Sequence, residues 1–196
     1  TLPSDSLPEF KFIAAAKSDE LTPSNHLPEP SKRRTWTVSH GDGAATRYSS
    51  LDQINRSNVS QLRQAWAYHS GDGVGNIQCN PIIVDGVMFA PTPGRALVAI
   101  NAANGRELWR FQVERPQQLG LSDAPARRGL VYWPGDIRNR PRIVFASGNW
   151  IYALDPITGK LIEGFGENGR TSLPTGGTAA GVIWRGTYIV PGMTGD

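Results

Sequence analysis

One motif occurs twice in this chain, and its recurrence limits the folds the chain can adopt more than any other feature. "ALVAINAANGRELW" at 96–109 superposes on "NWIYALDPITGKLIE" at 149–163, with Ala99 over Ala153, Asn101 over Asp155, Gly105 over Gly159 and Arg106 over Lys160. Apolar residues recur between these markers. Each copy reads as two short strands around a turn, "LVAIN" and "RELWRF" around Asn104-Gly105, and "IYALD" and "KLIEGF" around Thr158-Gly159. A second hairpin precedes the first copy, "NPIIV" and "VMFA" around Asp85-Gly86, and its design returns as "AGVIW" and "TYIV" around Arg185-Gly186. Each unit therefore supplies about four short antiparallel strands in a period of about 50 residues, the sequence pattern of a β-propeller blade. A β-sandwich with look-alike hairpins is the competing architecture.

Composition agrees with an all-β chain. Its 196 residues include 22 glycines and 15 prolines, and only 19% are charged, which suits a turn-rich globular fold. The predicted domain division is an extended Pro/Ser-rich leader at 1–34 carrying the apolar patch "FKFIAAA", followed by a partial propeller at 35–196. Within the second part, "SLDQINRSNVSQL" predicts a short helical turn capped by Ser57, leading into an alternating strand "RQAWAYHS" at 63–70. A propeller needs at least about four blades, so the remaining blades, or a partner, are expected to complete the ring.

Several function classes drop out. The net charge of +3 is scattered, and the single run Lys32-Arg33-Arg34 reads as a solvated linker, so no nucleic-acid partner is expected. The lone Cys79 excludes an internal disulfide and a thiolate metal cluster. No apolar run reaches the roughly 18 residues of a membrane span. The histidines His26, His40 and His69 lack metal-ligand spacing. Gly-rich pieces such as "GDGVG" lack the lysine and the strand-to-helix setting of a phosphate loop.

The pattern A-x-N/D-x-x-N/T-G-x-x-x-W resembles the tryptophan-docking motif of quinoproteins, the eight-bladed propeller dehydrogenases that use pyrroloquinoline quinone (PQQ). It is complete in the first copy through Ala99, Asn101, Gly105 and Trp109; Glu163 replaces the tryptophan in the second. The segment "HGDGAATRYSSLDQINRSNVSQLRQAWAYHSGDG" is similar to the family's opening segment. The stretches beginning "NIQCNP", "ARRGLVYWPGD" and "TAAGVIW" resemble successive blades, so that the likeness runs from about residue 36 to 196.

The resemblance implies a fold, a cofactor and a site. PQQ carries three carboxylates and an ortho-quinone, which call for cationic and amide donors and a divalent cation. Arg128 matches the family's cofactor-contacting arginine, Gln78 stands where the family has a glutamate, and Thr178 matches a threonine whose hydroxyl contacts the cofactor. Asp196 matches an acidic ligand to calcium. Ser122 and Asp123 occupy the place of the adjacent cysteines of the alcohol dehydrogenase branches, which favours the glucose dehydrogenase-like branch; Ala124 stands where that branch has a histidine. The implied activity is oxidation of a sugar or alcohol by hydride transfer to the quinone, with a quinone or cytochrome as electron acceptor, in the periplasm or outside the cell. The catalytic base would lie in later blades, so these 196 residues alone are expected to be inactive. The alternative is a non-catalytic propeller scaffold that binds protein partners through the same docking repeats.

Overall fold

The computed structural model describes residues 35–41, 45–49, 51–75, 77–113, 128–174 and 179–191. The predicted leader at 1–34 lies outside them. Among the described residues the chain forms ten strands and one 3₁₀ turn, Val59–Gln61. The strands β1 (Ile82–Val84), β2 (Val87–Pro91), β3 (Ala96–Asn101) and β4 (Glu107–Gln112) form one antiparallel sheet in sequence order. A second sheet repeats that order with β5 (Val131–Trp133), β6 (Arg142–Ser147), β7 (Trp150–Leu154) and β8 (Arg170–Ser172). The pair β9 (Val182–Trp184) and β10 (Thr187–Ile189) begins a third.

The turns explain the hairpins. Asp85 (φ 48°) and Gly86 (φ 79°), like Arg185 (φ 47°) and Gly186 (φ 77°), both adopt positive φ, the conformation of a two-residue turn whose twist matches the flanking strands. The repeated motif is a different device. In the first copy the Asn101 amide donates to the Arg106 carbonyl at 2.8 Å, and Asn101 Oδ1 accepts the Ala103 amide at 2.9 Å. In the second, the Asp155 amide donates to the Lys160 carbonyl at 2.8 Å, and Asp155 Oδ1 accepts the amides of Ile157 and Thr158 at 2.8 and 2.9 Å. An Asn or Asp opens the turn because its short side chain can cap the amides that follow.

The middle strands are buried on both faces, which is why "ALVAI" and "IVFAS" are continuous apolar runs rather than alternating ones. One core cluster crosses the two sheets and contains Ile82, Phe89, Leu97, Leu130, Ile143, Phe145, Tyr152 and Leu154. Phe111 of β4 reaches into the second sheet, 6.4 Å from Phe145 and 6.0 Å from Tyr152 between ring centroids. The first strands of the three sheets pack side by side, β1 on β5 and β5 on β9. Sheets stacked face to face, with their first strands converging, are the arrangement of propeller blades around an axis.

Three local expectations are corrected. Residues 63–70 lie extended, with Trp66, Tyr68 and Ser70 alternately half-buried, but they form no ladder among the described residues. Their attachment is by side chains. The turn before them is not capped by Ser57: Ser57 Oγ donates to Asn55 Oδ1 at 2.5 Å, and the residue at the cap position, Asn58, instead accepts the Asn55 amide. Finally, "KLIEGF" is not the fourth strand of the second sheet. It contributes one bridge, Leu154 to Leu161, before the chain leaves the sheet and returns as β8. Gly166 (φ 57°), Asn168 (φ 54°) and Gly169 (φ 85°) impose left-handed backbone on that detour and end the strand.

Candidate cofactor-binding site

Alternation along β4 divides its side chains between two neighbours. Trp109 and Phe111 are half-buried and face the second sheet, while Arg110 faces the extended segment 66–72. The Trp109 indole N–H donates to the Pro156 carbonyl at 3.0 Å, and its ring lies over the turn of the second motif, where a methyl on Gly159 would fall 2.6 Å from Cδ2. The first motif receives an indole in the same way: Trp66 Nε1–H donates to the Ala102 carbonyl at 3.0 Å, and a methyl on Gly105 would fall 2.7 Å from Trp66 Cε3. The glycine of each copy is therefore a landing site for an indole that arrives from the preceding element. Sequence reading found Trp109 and missed Trp66 in this role. The available signal was a tryptophan in the middle of an alternating segment just ahead of the first complete unit.

On the other face of β4 a polar cluster holds the 66–72 segment. Arg110 donates to Asp72 Oδ2 (2.8 Å), Tyr68 Oη (2.8 Å), the Ser70 carbonyl (3.0 Å) and Glu107 Oε2 (2.9 Å). A register shift in the β3–β4 ladder, between Ala99 and Ile100, breaks the alternation and places Glu107 on the same face as Arg110. Tyr68 donates its hydroxyl proton to Glu107 Oε2. Burial, then the hydrogen bond to Glu107, push the Tyr68 pKa up to about 12. Burial opposes ionisation of Asp72, yet hydrogen bonds from Thr92, Ser70 and the Gly94 amide, with the Arg110 charge, hold its carboxyl below the ordinary range. Arg110 and Tyr68 do the same for Glu107.

The predicted cofactor residues stand just before the first strands of their sheets. Gln78 precedes β1 and Arg128 precedes β5, and both are exposed. Between Gln78 and the sheet lies Cys79, packed on the core with its thiol pushed up to about 12 by burial, so it stays protonated and inert. In extended chain an inward Cys79 turns Gln78 outward. The two strand starts are held at one end of the sheets by the segment 35–41, where Asn80 Nδ2 donates to the Ser39 carbonyl at 3.3 Å and Ser39 Oγ donates to the Arg128 carbonyl at 3.4 Å. A cleft of ≈ 450 Å³ lies between Tyr68, Gly73 and Ile77 on one side and the end of β2 with Thr92 and Pro93 on the other, and neither Gln78 nor Arg128 lines it.

Thr178 and Asp196 lie outside the described residues, as do Ser122, Asp123 and Ala124. Among the described residues no group of three or more His, Cys, Asp or Glu side chains could hold a metal ion. His40 and His69 are exposed. The candidate residues among those described offer one amide and one guanidinium, groups of the kind that hydrogen-bond carboxylates.

Comparison with known proteins agrees with this architecture. The family described as "PQQ: Glucose/ethanol/alcohol dehydrogenase, beta-propeller domain" matches residues 36–192. The dehydrogenase subunit of a quinone-linked alcohol dehydrogenase from Gluconacetobacter polyoxogenes is 38% identical over 120 residues, covering 59% of this chain and 15% of that protein. The quinohemoprotein alcohol dehydrogenase of Comamonas testosteroni is 30% identical over 159 residues, covering 79% of this chain and 21% of the relative. Quinoprotein glucose dehydrogenase A of Acinetobacter calcoaceticus is 29% identical, covering 82% and 24%. The chain thus spans a quarter or less of each of these relatives. Among solved structures, the Comamonas testosteroni alcohol dehydrogenase shares the fold with a TM-score of 0.63 at 24% identity, covering 80% of this chain and 23% of that one. Docked indoles, four-stranded sheets stacked about converging first strands, and the family match over 36–192 together place the chain in the PQQ-dependent glucose/ethanol/alcohol dehydrogenase propeller family.

Proposed function

We propose that this chain forms the first blades of a PQQ- and calcium-dependent dehydrogenase that oxidises a sugar, glucose-like, or an alcohol. The observation that carries the reading is the placement of Gln78 and Arg128, an exposed amide and an exposed guanidinium brought to one end of the converging strands β1 and β5. The guanidinium can take a carboxylate in a two-point hydrogen bond. The Gln78 side chain keeps a hydrogen-bonding group where the family has a glutamate, and its amide can donate to a second carboxylate. Thr178 adds a hydroxyl, and Asp196 a hard oxygen ligand for calcium. When bound, the quinone accepts the electron pair and proton removed from the substrate carbon as hydride.

In this reading the chain supplies part of the cofactor cradle, while the catalytic base, most substrate contacts and the remaining blades come from further chain or a partner. Electrons pass to a quinone or cytochrome; a relative from Thauera butanivorans is a 1-butanol dehydrogenase (cytochrome c). The reaction takes place in the periplasm or outside the cell. No helix among the described residues is long and apolar enough to cross a membrane.

The test uses the complete protein containing this chain. PQQ and calcium are added, and reduction of an artificial dye is followed with a panel of sugars and alcohols. Reduction that vanishes on chelation is the expected result and names the substrate class. Absence of both reduction and quinone binding would overturn the reading and favour a propeller scaffold.

A further inference from the structure

The segment 35–41 wedges between the first two sheets and bonds to the first strands of both. Trp36 exchanges backbone hydrogen bonds with Ile83 of β1, at 2.6 and 2.9 Å, and the Thr37 carbonyl accepts the Tyr132 amide of β5 at 2.9 Å. Ser39 then enters the interior at 5% exposure. Its carbonyl accepts from Asn80, two residues after Gln78, and its hydroxyl donates to the carbonyl of Arg128. Gly129, with φ 154°, has no room for a side chain: a methyl there would run into Ser39 Oγ and Ala180 Cβ together. Ala180 follows Thr178 by two residues in the third unit. One buried serine thus meets, by its carbonyl and its hydroxyl, the two strand starts that carry Gln78 and Arg128.

We propose that Ser39 is a positioning residue for the quinone cradle. A buried hydroxyl is retained only where it is hydrogen-bonded, and here both of its polar groups are committed to strand starts rather than to its own segment. The core already holds β1 against β5 below this level, through Ile82 and Leu130. What Ser39 adds is a fixed spacing between the backbones bearing Gln78 and Arg128, and a ligand bridging them by its carboxylates is sensitive to that spacing. A shift of about 1 Å in a binding group is enough to weaken such a site.

This inference rests on the proposed cofactor, and the experiment separates the two. In the complete protein, Ser39→Ala, Ser39→Thr and Asn80→Ala are compared with wild type and with Thr92→Ala, a control that removes an equally buried hydroxyl from the β2–β3 loop. PQQ affinity is read by fluorescence titration, alongside thermal midpoints and amide hydrogen exchange at 78–80 and 128–131. Ser39→Ala is expected to bind PQQ about five- to tenfold more weakly, the loss of roughly one hydrogen bond. Asn80→Ala should show a smaller loss in the same direction, and Ser39→Thr should restore affinity because it keeps the hydroxyl. Amide exchange at both strand starts should accelerate together in Ser39→Ala and remain unchanged in Thr92→Ala. PQQ affinity within twofold of wild type in both Ser39→Ala and Asn80→Ala, or equal weakening in Thr92→Ala at matched stability, overturns the proposal. If wild type binds no PQQ, the cofactor reading fails, and the exchange pattern alone decides whether Ser39 couples the strand starts. Should Ser39→Ala not fold, the exposed Asn80→Ala carries the same decision.

Discussion

The two complete sheets are written with the same motif and end differently. In the first, β4 is an unbroken six-residue strand that delivers Trp109 to the next sheet on one face and grips the 66–72 segment through Arg110 on the other. In the second, the corresponding stretch makes a single bridge, detours through left-handed residues and returns as the three-residue β8, with Glu163 exposed at the tryptophan position. The turn glycine is kept in both. Receiving an indole and supplying one are therefore separable properties of the repeat: the glycine serves the incoming tryptophan, and the outgoing strand holds its length only where it has an aromatic residue to bury.

Breaking the better junction should have the largest effect. Trp109→Ala removes the indole, its hydrogen bond to Pro156 and its contact with Phe89, 5.7 Å away, and is expected to destabilise by about 3–5 kcal/mol in chemical denaturation. Glu163→Ala, at the matching position of the second sheet, should change stability by less than about 0.5 kcal/mol, as exposed substitutions do. Similar losses for the two would refute the distinction drawn between the sheets. Next comes Gly159→Ala, which combines a left-handed φ of 69° with a methyl forced against the docked ring, at a cost of about 2–4 kcal/mol. Gly105→Ala should cost a comparable amount through Trp66. Gly86→Ala, whose added methyl meets nothing, isolates the backbone component at about 1 kcal/mol.

A smaller effect sharpens the contrast through pH. The carboxyls of Asp72 and Glu107 are both held below their ordinary values, so their contribution to stability is complete above the ordinary carboxylate range. It is lost as pH falls through their lowered folded-state values, from about pH 4 downward. Hydrogen exchange should show the 66–72 segment loosening from β4 on acidification while β6 and β7, which have no such cluster, keep their protection. Uniform loss across both sheets would mean that the cluster is not what fastens the segment. The smallest expected change is a gain: Glu163→Trp restores the motif and should stabilise the chain only when the next turn is present to receive the ring.

How much of this was readable in advance depends on the range of the interaction. The hairpins at 85–86 and 185–186 and the turn glycines Gly105 and Gly159 are legible because their chemistry is contained in four or five consecutive residues, whereas the capping by Asn101 and Asp155 emerges only in the structure. The failures lie where a partner is distant. Residues 63–70 carry the alternation of a strand, yet strand identity requires a backbone partner, and theirs are side chains on β4. "KLIEGF" looked like the counterpart of "RELWRF", but the missing tryptophan and the following glycines let the chain leave the sheet. At the candidate site Gln78 and Arg128 were named from resemblance, while Ser39, between them in space, precedes both by a long stretch of chain and belongs to no motif.

The sequence by itself determined the repeat, the two-residue hairpins at 85–86 and 185–186 and the family, since these follow from local spacing and from which residue tolerates which backbone. Only the tertiary structure decided which indole lands on which glycine, which face of β4 holds the preceding segment, and that one buried serine joins two strand starts. Those outcomes depend on the stacking of one sheet against the next, where a tryptophan and its glycine are brought together by packing across blades rather than by their separation along the chain.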